Sequence, residues 1–192
     1  MRRALFLDKD GTLVRDVPYN GDPNKVELND DILPGLREVQ EAGYELIVVS
    51  NQPGIAHGYF SEASLRPVVT ALRSKMTQAG LRLAAFYYCP HHAQARLPDY
   101  RIACECRKPE PGLFYRAAEK FDISLRNSWM IGDIIDDVQA GKRAGCRSIL
   151  LDHGNETEWV MTSRDRHPDF IVRSINEGCQ IVLREALTTE RK

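Results

Sequence analysis

The feature that most constrains this chain is a regular alternation of short apolar runs with amphipathic stretches. Residues 4–7, 45–49, 84–88, 129–131, 147–151 and 170–172 read as strands. Residues 32–42 carry Leu33, Leu36 and Val39 at helical spacing and stop at Gly43. Residues 61–79, 113–121, 138–144 and 175–186 read as further helices. Ser61 stands where a helix N-cap is wanted, although Ser64 rather than an acid occupies the third helical position. Strands alternating with helices predict a mostly parallel, doubly wound, Rossmann-like α/β sheet. A chain of 192 residues, 43% of them hydrophobic, can bury a proper core as one domain spanning 1–192.

In such sheets ligands sit beyond the carboxyl ends of the strands. The first strand runs into Asp8, the second into Ser50, the third into Cys89 and the fourth into Asp133. One edge thereby collects reactive polar groups, more than solvated loop polars alone would supply. The first strand continues as Asp8-Lys9-Asp10-Gly11-Thr12. Phosphoryl transfer needs a nucleophile, cancellation of phosphate charge and a proton donor for the leaving oxygen. Asp8 is suited to be the nucleophile and to share an oxygen with Mg²⁺, Asp10 to the proton transfer. Gly11 permits the sharp turn that faces backbone N–H groups to an anion. Alone, Asp-x-Asp-Gly is also a calcium-loop or turn sequence, but no glutamate closes a calcium loop here.

Three later segments supply the remaining parts. Ser50-Asn51-Gln52-Pro53 offers a hydroxyl and amides at a strand end, Arg107-Lys108 two cations, and Asp133 with Asp136 and Asp137 further carboxylates. Each taken singly is a polar turn, a solvated basic pair or a helix N-cap. A net charge of −1 and the absence of a basic run argue against nucleic acid, and no apolar stretch suits a membrane span or signal peptide. A cytoplasmic protein is expected. Residues 154–168 form a long polar connection with no assigned role.

Three of the five cysteines cluster, in Cys89-Pro90-His91-His92 and Cys104-Glu105-Cys106. In a reducing compartment this pattern points to Zn²⁺ rather than disulfides. Three thiolates and one imidazole, from His91 or His92, complete a tetrahedron and leave no open position, so the zinc would be structural, pinning a loop at about 89–106.

In order and context, the four segments resemble the four motifs of the haloacid dehalogenase superfamily of phosphatases. The resemblance implies Asp8 as nucleophile and Asp10 as general acid/base, with Ser50 and Lys108 holding the phosphoryl group. It implies Mg²⁺ on Asp8, Asp10 and Asp133. The cysteine cluster, with Arg107-Lys108-Pro109, is similar to the zinc-bearing branch that acts on heptose bisphosphates and histidinol phosphate. That branch implies Cys89, His91, Cys104 and Cys106 as zinc ligands. It also implies a substrate site of Asp16, Val17, Pro18, Tyr19, Ser50, Asn51, Gln52, Pro53, Arg107 and Lys108. The expected reaction is removal of the C7 phosphate of D-glycero-D-manno-heptose 1,7-bisphosphate through an aspartyl-phosphate on Asp8, with histidinol phosphate or another small sugar phosphate as the alternative. A monomer acting on a small phosphorylated sugar is expected. Ile134 and His57 stand where the branch usually carries cations. The spacings 10–50 and 50–108 leave no room for a large cap domain. A non-catalytic, zinc-stabilised binding module is the competing reading; keeping Asp8, Asp10, Ser50, Lys108 and Asp133 together argues against it.

Overall fold

A computed structural model of the protein describes residues 1–30, 32–154 and 159–189. Six parallel strands form one sheet in the order β3-β2-β1-β4-β5-β6: β1 Arg3–Leu7, β2 Tyr44–Asn51, β3 Leu83–Cys89, β4 Trp129–Gly132, β5 Arg147–Leu151 and β6 Phe170–Val172. The helices are α1 Leu33–Glu41, α2 Pro53–Ala56, α3 Glu62–Gln78, α4 Gly112–Phe121, α5 Ile135–Ala144 and α6 Ile175–Thr189. Strand side chains alternate between faces, and β1 is buried on both. Leu5 and Leu7 join Leu46, Val48 and the apolar stripes of α1, α3 and α6 in one core. Ala4 and Phe6 join Ile47, Val49 and the stripe of α4 on the other side. Phe6 and Phe114 meet at 4.7 Å between ring centroids, fully buried. Burying such a ring is worth roughly 1.5–3 kcal/mol, which is why α4 lies flat on the strands that carry the site.

The expected elements all form, most with longer bounds. α5 starts at Ile135 rather than 138, because Asp136 and Asp137 favour the positive end of a helix and so belong to its first turn. Ser61 caps α3, its Oγ accepting from Ser64 N at 3.1 Å. The single turn α2 carries only buried Gly54, Ile55 and Ala56 and has no periodicity to read. Among the described residues, a loop, a short 3₁₀ turn and α1 lie between β1 and β2, and α2 and α3 between β2 and β3, with no large cap over the carboxyl edge. The described part of the 154–168 connection packs on α5: Asp165 accepts from Gln139 and Arg143, and Trp159 and Met161 cover Ile135 and Val138. Residues 155–158 of that connection, Glu156 and Glu158 among them, lie outside the described residues. No helix among the described residues is long and apolar enough to cross a membrane.

Candidate active site

β1 lies between β2 and β4, so its carboxyl end opens at the centre of the edge. Asp8 N donates to Ile131 O at 3.0 Å, extending the β1–β4 ladder one residue and fixing the Asp8 backbone. Lys108, only 2% exposed, points its ammonium into this centre. Its Nζ lies 2.5 Å from Asp8 Oδ1 and 2.5 Å from Asp137 Oδ1, and donates to Val49 O at 2.9 Å. Asp8 Oδ1 and Val49 O accept hydrogen bonds from the ammonium, and Asp137 Oδ1 faces it as an ion pair. Burial works against the charge, but the Asp137 and Asp8 carboxylates hold Lys108 above its ordinary range.

Asn51 secures the Lys108 backbone. Its Oδ1 accepts from Lys108 N and its Nδ2 donates to Lys108 O, both at 3.0 Å. The expected substrate amide is therefore engaged by the chain itself. Gln52 behaves similarly: Nε2 donates to Ser50 Oγ at 2.9 Å and to Asp10 Oδ2 at 3.0 Å. The other Asp10 oxygen pairs with the buried Lys9 ammonium at 2.6 Å. Burial raises the Asp10 pKa above its ordinary value; Lys9 opposes this and Asp8 adds to it. Gly11 takes a φ of 75°, making the turn expected of it.

Carboxylate oxygens of Asp8, Asp133 and Asp137 converge within 4.8 Å, a donor set suited to a hard divalent cation. Thr12 Oγ1 donates to Asp133 Oδ1 at 3.2 Å and orients it. The Asp10 carboxylate is not in this cluster; it is turned to Lys9 and Gln52. Asp137 stands in its stead. Its pKa is pushed up to about 8 by burial, against the pull of Lys108 and with the added repulsion of Asp8 and Asp133. From sequence, Asp137 is one of three further carboxylates, with Asp133 and Asp136, and reads equally as helix capping, while Lys9 carries no role. The available signals were the four-residue step from Asp133 and a lysine flanked by two site aspartates.

Beside Asp10 opens a cavity of about 290 Å³ lined by Asp16, Pro18, Tyr19, Asn51, Gln52 and Pro53 among others. Val17, Ser50, Arg107 and Lys108 are not among its lining residues; Ser50 is held by Gln52, and Lys108 by Asp8. The Arg107 guanidinium instead donates to His91 O at 3.2 Å, within the cysteine loop.

In that loop Cys89, Cys104 and Cys106 are free thiols whose sulfurs lie 3.1–3.5 Å apart. His91 Nδ1 faces them, 3.4 Å from Cys106 Sγ and 3.7 Å from Cys89 Sγ. All four donor atoms fall within 4.8 Å of one another, the set a tetrahedral zinc takes. His92 is not part of it: its Nδ1 accepts from Gln94 N at 3.1 Å. Burial pushes the Cys89 and Cys106 thiols up. Burial pushes Cys104 up as well, but hydrogen bonds from Cys106 and Cys89 bring it below its ordinary value.

The sequence profile described as HAD-hydrolase-like matches residues 105–178. The chain is 34% identical over 169 residues to the D-glycero-beta-D-manno-heptose-1,7-bisphosphate 7-phosphatase of Escherichia coli strain K12, covering 83% of this chain and 88% of that one. The chain belongs to the haloacid dehalogenase-like phosphatases. A second member, the alpha-anomer 7-phosphatase of Photorhabdus laumondii, is 33% identical over 156 residues, 81% of this chain and 85% of its own. Among solved structures, the D,D-heptose 1,7-bisphosphate phosphatase of B. bronchiseptica, complexed with magnesium and phosphate, superposes with a TM-score of 0.80. It is 26% identical and covers 95% of this chain and 99% of that one. As a haloacid dehalogenase-like phosphatase, the chain is a phosphoric monoester hydrolase with the expected fold and without a large cap.

Proposed function

We propose that this phosphatase removes the C7 phosphate of D-glycero-D-manno-heptose 1,7-bisphosphate. The observation that carries the reading is the pairing of Asp8 with buried Lys108, next to an Asp10 that lines an open cavity, in a chain whose relatives are heptose-bisphosphate 7-phosphatases. Asp8 attacks phosphorus, forming the Oδ–P bond as the bond to the C7 oxygen breaks. Asp10 gives its proton to the departing alkoxide, and its raised pKa suits an acid. Gln52 and Lys9 keep the resulting carboxylate in place to take a proton from water, which then splits the aspartyl-phosphate into Asp8 and inorganic phosphate. Lys108 and Ser50 hold phosphoryl oxygens. Magnesium, held by Asp8 and Asp133 with Asp137 beside them, would offset repulsion between carboxylate and phosphate. Zinc on Cys89, His91, Cys104 and Cys106 would be structural, since four protein ligands leave no open position.

The test is phosphate release with Mg²⁺ from both anomers of the heptose bisphosphate, histidinol phosphate and an aryl phosphate. A heptose bisphosphate should give the highest kcat/KM. Relatives of both anomeric classes resemble this chain to the same degree, so the anomer ratio is read from the same panel. Asp8→Asn should lose about three orders of magnitude or more in kcat. Turnover retained in that variant would remove the mechanism, and a preference for histidinol phosphate would remove the substrate.

A further inference from the structure

While the carboxyl edge of the sheet gathers acids, the amino edge gathers arginines. Arg3 opens β1, Arg147 opens β5, and Arg126 lies in a 3₁₀ turn, Leu125–Asn127, just before β4. The three line a second cavity, of about 230 Å³, together with Tyr44, Trp129 and Glu185. β1 begins at Arg3 and runs into Asp8, so this cavity stands one strand's length, roughly 17 Å, from the nucleophile.

Strand register builds the cavity. Arg3 pairs with Tyr44 across β1 and β2, and Trp129 with Arg147 across β4 and β5. The Arg3 Cζ lies 4.7 Å from the Tyr44 ring centroid. The Arg147 Cζ lies 4.1 Å from the Trp129 ring centroid and 5.5 Å from that of Phe170. Tyr44 and Trp129 are buried, so two fixed rings hold two guanidinium planes that would otherwise turn freely. Arg3 also donates to Ala42 O, at the end of α1, at 3.0 Å. Complementing a helix C-terminus accounts for that contact. It does not account for Arg126, which is exposed and has no ion-pair partner among the described residues.

The charges around the cavity do not balance. Three guanidiniums against one carboxylate leave two positive charges in excess among the described lining residues. Arg147 donates to Glu185 Oε2 at 2.7 Å, and that bond holds the Glu185 carboxyl below its usual range, so it stays ionised at neutral pH. One of the five N–H bonds of Arg147 is used there.

We propose that this cavity binds a small dianionic phosphate, free or esterified, as a second anion site on the edge of the sheet opposite the catalytic one. A phosphate dianion cancels the excess of two charges, and its oxygens accept from the paired N–H groups of arginine forks. The inference is independent of which substrate the catalytic site takes.

Trp129 and Trp159 are the two tryptophans of the chain. In full-length Trp159→Phe protein, Trp129 in the cavity wall is the sole reporter. Its emission should change saturably on titration with inorganic phosphate or with 3,4-dihydroxybutylphosphonate, an ester mimic that is not hydrolysed, at ionic strength held constant with NaCl. Tighter binding of the phosphonate assigns the cavity to a phosphate ester, and equal or tighter binding of inorganic phosphate assigns it to the free anion. Arg126→Glu, a change at an exposed side chain, and Arg147→Gln should each weaken the response at least about ten-fold. Both should leave kcat/KM for an aryl phosphate within about two-fold, because the catalytic edge is distant. No saturable change, a change that NaCl alone reproduces, or one that survives Arg126→Glu at full affinity would overturn the site.

Discussion

At the scale of single residues the site is an arrangement of buried charge. Lys108 is the cation that faces both Asp8 and Asp137, and all three are largely or wholly removed from water. Removing one partner of such a group leaves uncompensated buried charge, typically costing about 3–5 kcal/mol. Lys108→Met should therefore lower the melting temperature by roughly 6–20 °C in a chain of this size. It should also lower kcat by about two to three orders of magnitude through lost stabilisation of the transferring phosphoryl. Lys108→Arg should restore neither, because Asp8, Asp137 and Val49 O are set around a point charge and not a planar fork. Thermal melts and aryl phosphatase assays check both; a Lys108→Met protein as stable and active as wild type contradicts the assignment. The residues legible in the sequence were those whose chemical type announces what they do, namely Asp8, Asp10, Ser50, Lys108 and Asp133. Those that were not, Asn51 and Gln52 acting on neighbours, Lys9, and the choice of Asp137 over Asp136 as the carboxylate beside Asp8, depend on how the fold places polar groups. Asn51 and Lys108 are 57 positions apart, a separation that spacing does not reveal.

At the scale of elements, the cysteine loop is the part least able to hold itself. Among the described residues between Cys89 and Cys106 only Ala95 is buried and apolar, while Leu97 and Ile102 are substantially exposed. The loop's shape depends on the Cys89, His91, Cys104 and Cys106 cluster and on Arg101 donating to Ala95 O. Lys108, by contrast, is fixed independently by Asn51 and by its own ion pairs. Cys104→Ser should release zinc, abolish amide-exchange protection across residues 90–105 and leave protection of β1, β2 and β4 intact. Acetyl phosphate turnover should fall less than about ten-fold, because the phosphoryl site keeps its frame. Exchange mass spectrometry with a zinc-release assay decides this; collapse of protection throughout the sheet shows instead that the metal holds the whole fold. The loop was legible because ligand chemistry is written in residue type. α2 was not, since one buried turn has no period, and α5 began earlier than its apolar residues indicated.

At the scale of the whole molecule, alternation of strands and helices sufficed to give a doubly wound sheet, but not its strand order. That order decides function: β2 and β4 flank β1, so Ser50 and Asp133 stand on either side of Asp8. Crowding three carboxylates there links folding stability to pH and to metal. The Asp137 pKa rises from 3.8 to about 8 on folding, chiefly by burial. A group raised in the folded state stabilises below its unfolded value, and that stabilisation is lost as pH rises through the folded value. Metal-free protein should therefore lose stability between about pH 4 and about pH 8 at this site. A divalent cation bound by Asp8, Asp133 and Asp137 must displace that proton at low pH and meets bare carboxylates at high pH. Mg²⁺ at a hundred times its dissociation constant adds about 2.7 kcal/mol, or roughly 5–10 °C in melting temperature. At a fixed Mg²⁺ concentration the gain should be larger at pH 8.5 than at pH 6. Asp137→Asn, which cannot titrate, should flatten that difference. Melts of both proteins with and without Mg²⁺ across this range measure it. A gain independent of pH in the wild type would show that the buried carboxylate is ionised throughout, held so by Lys108.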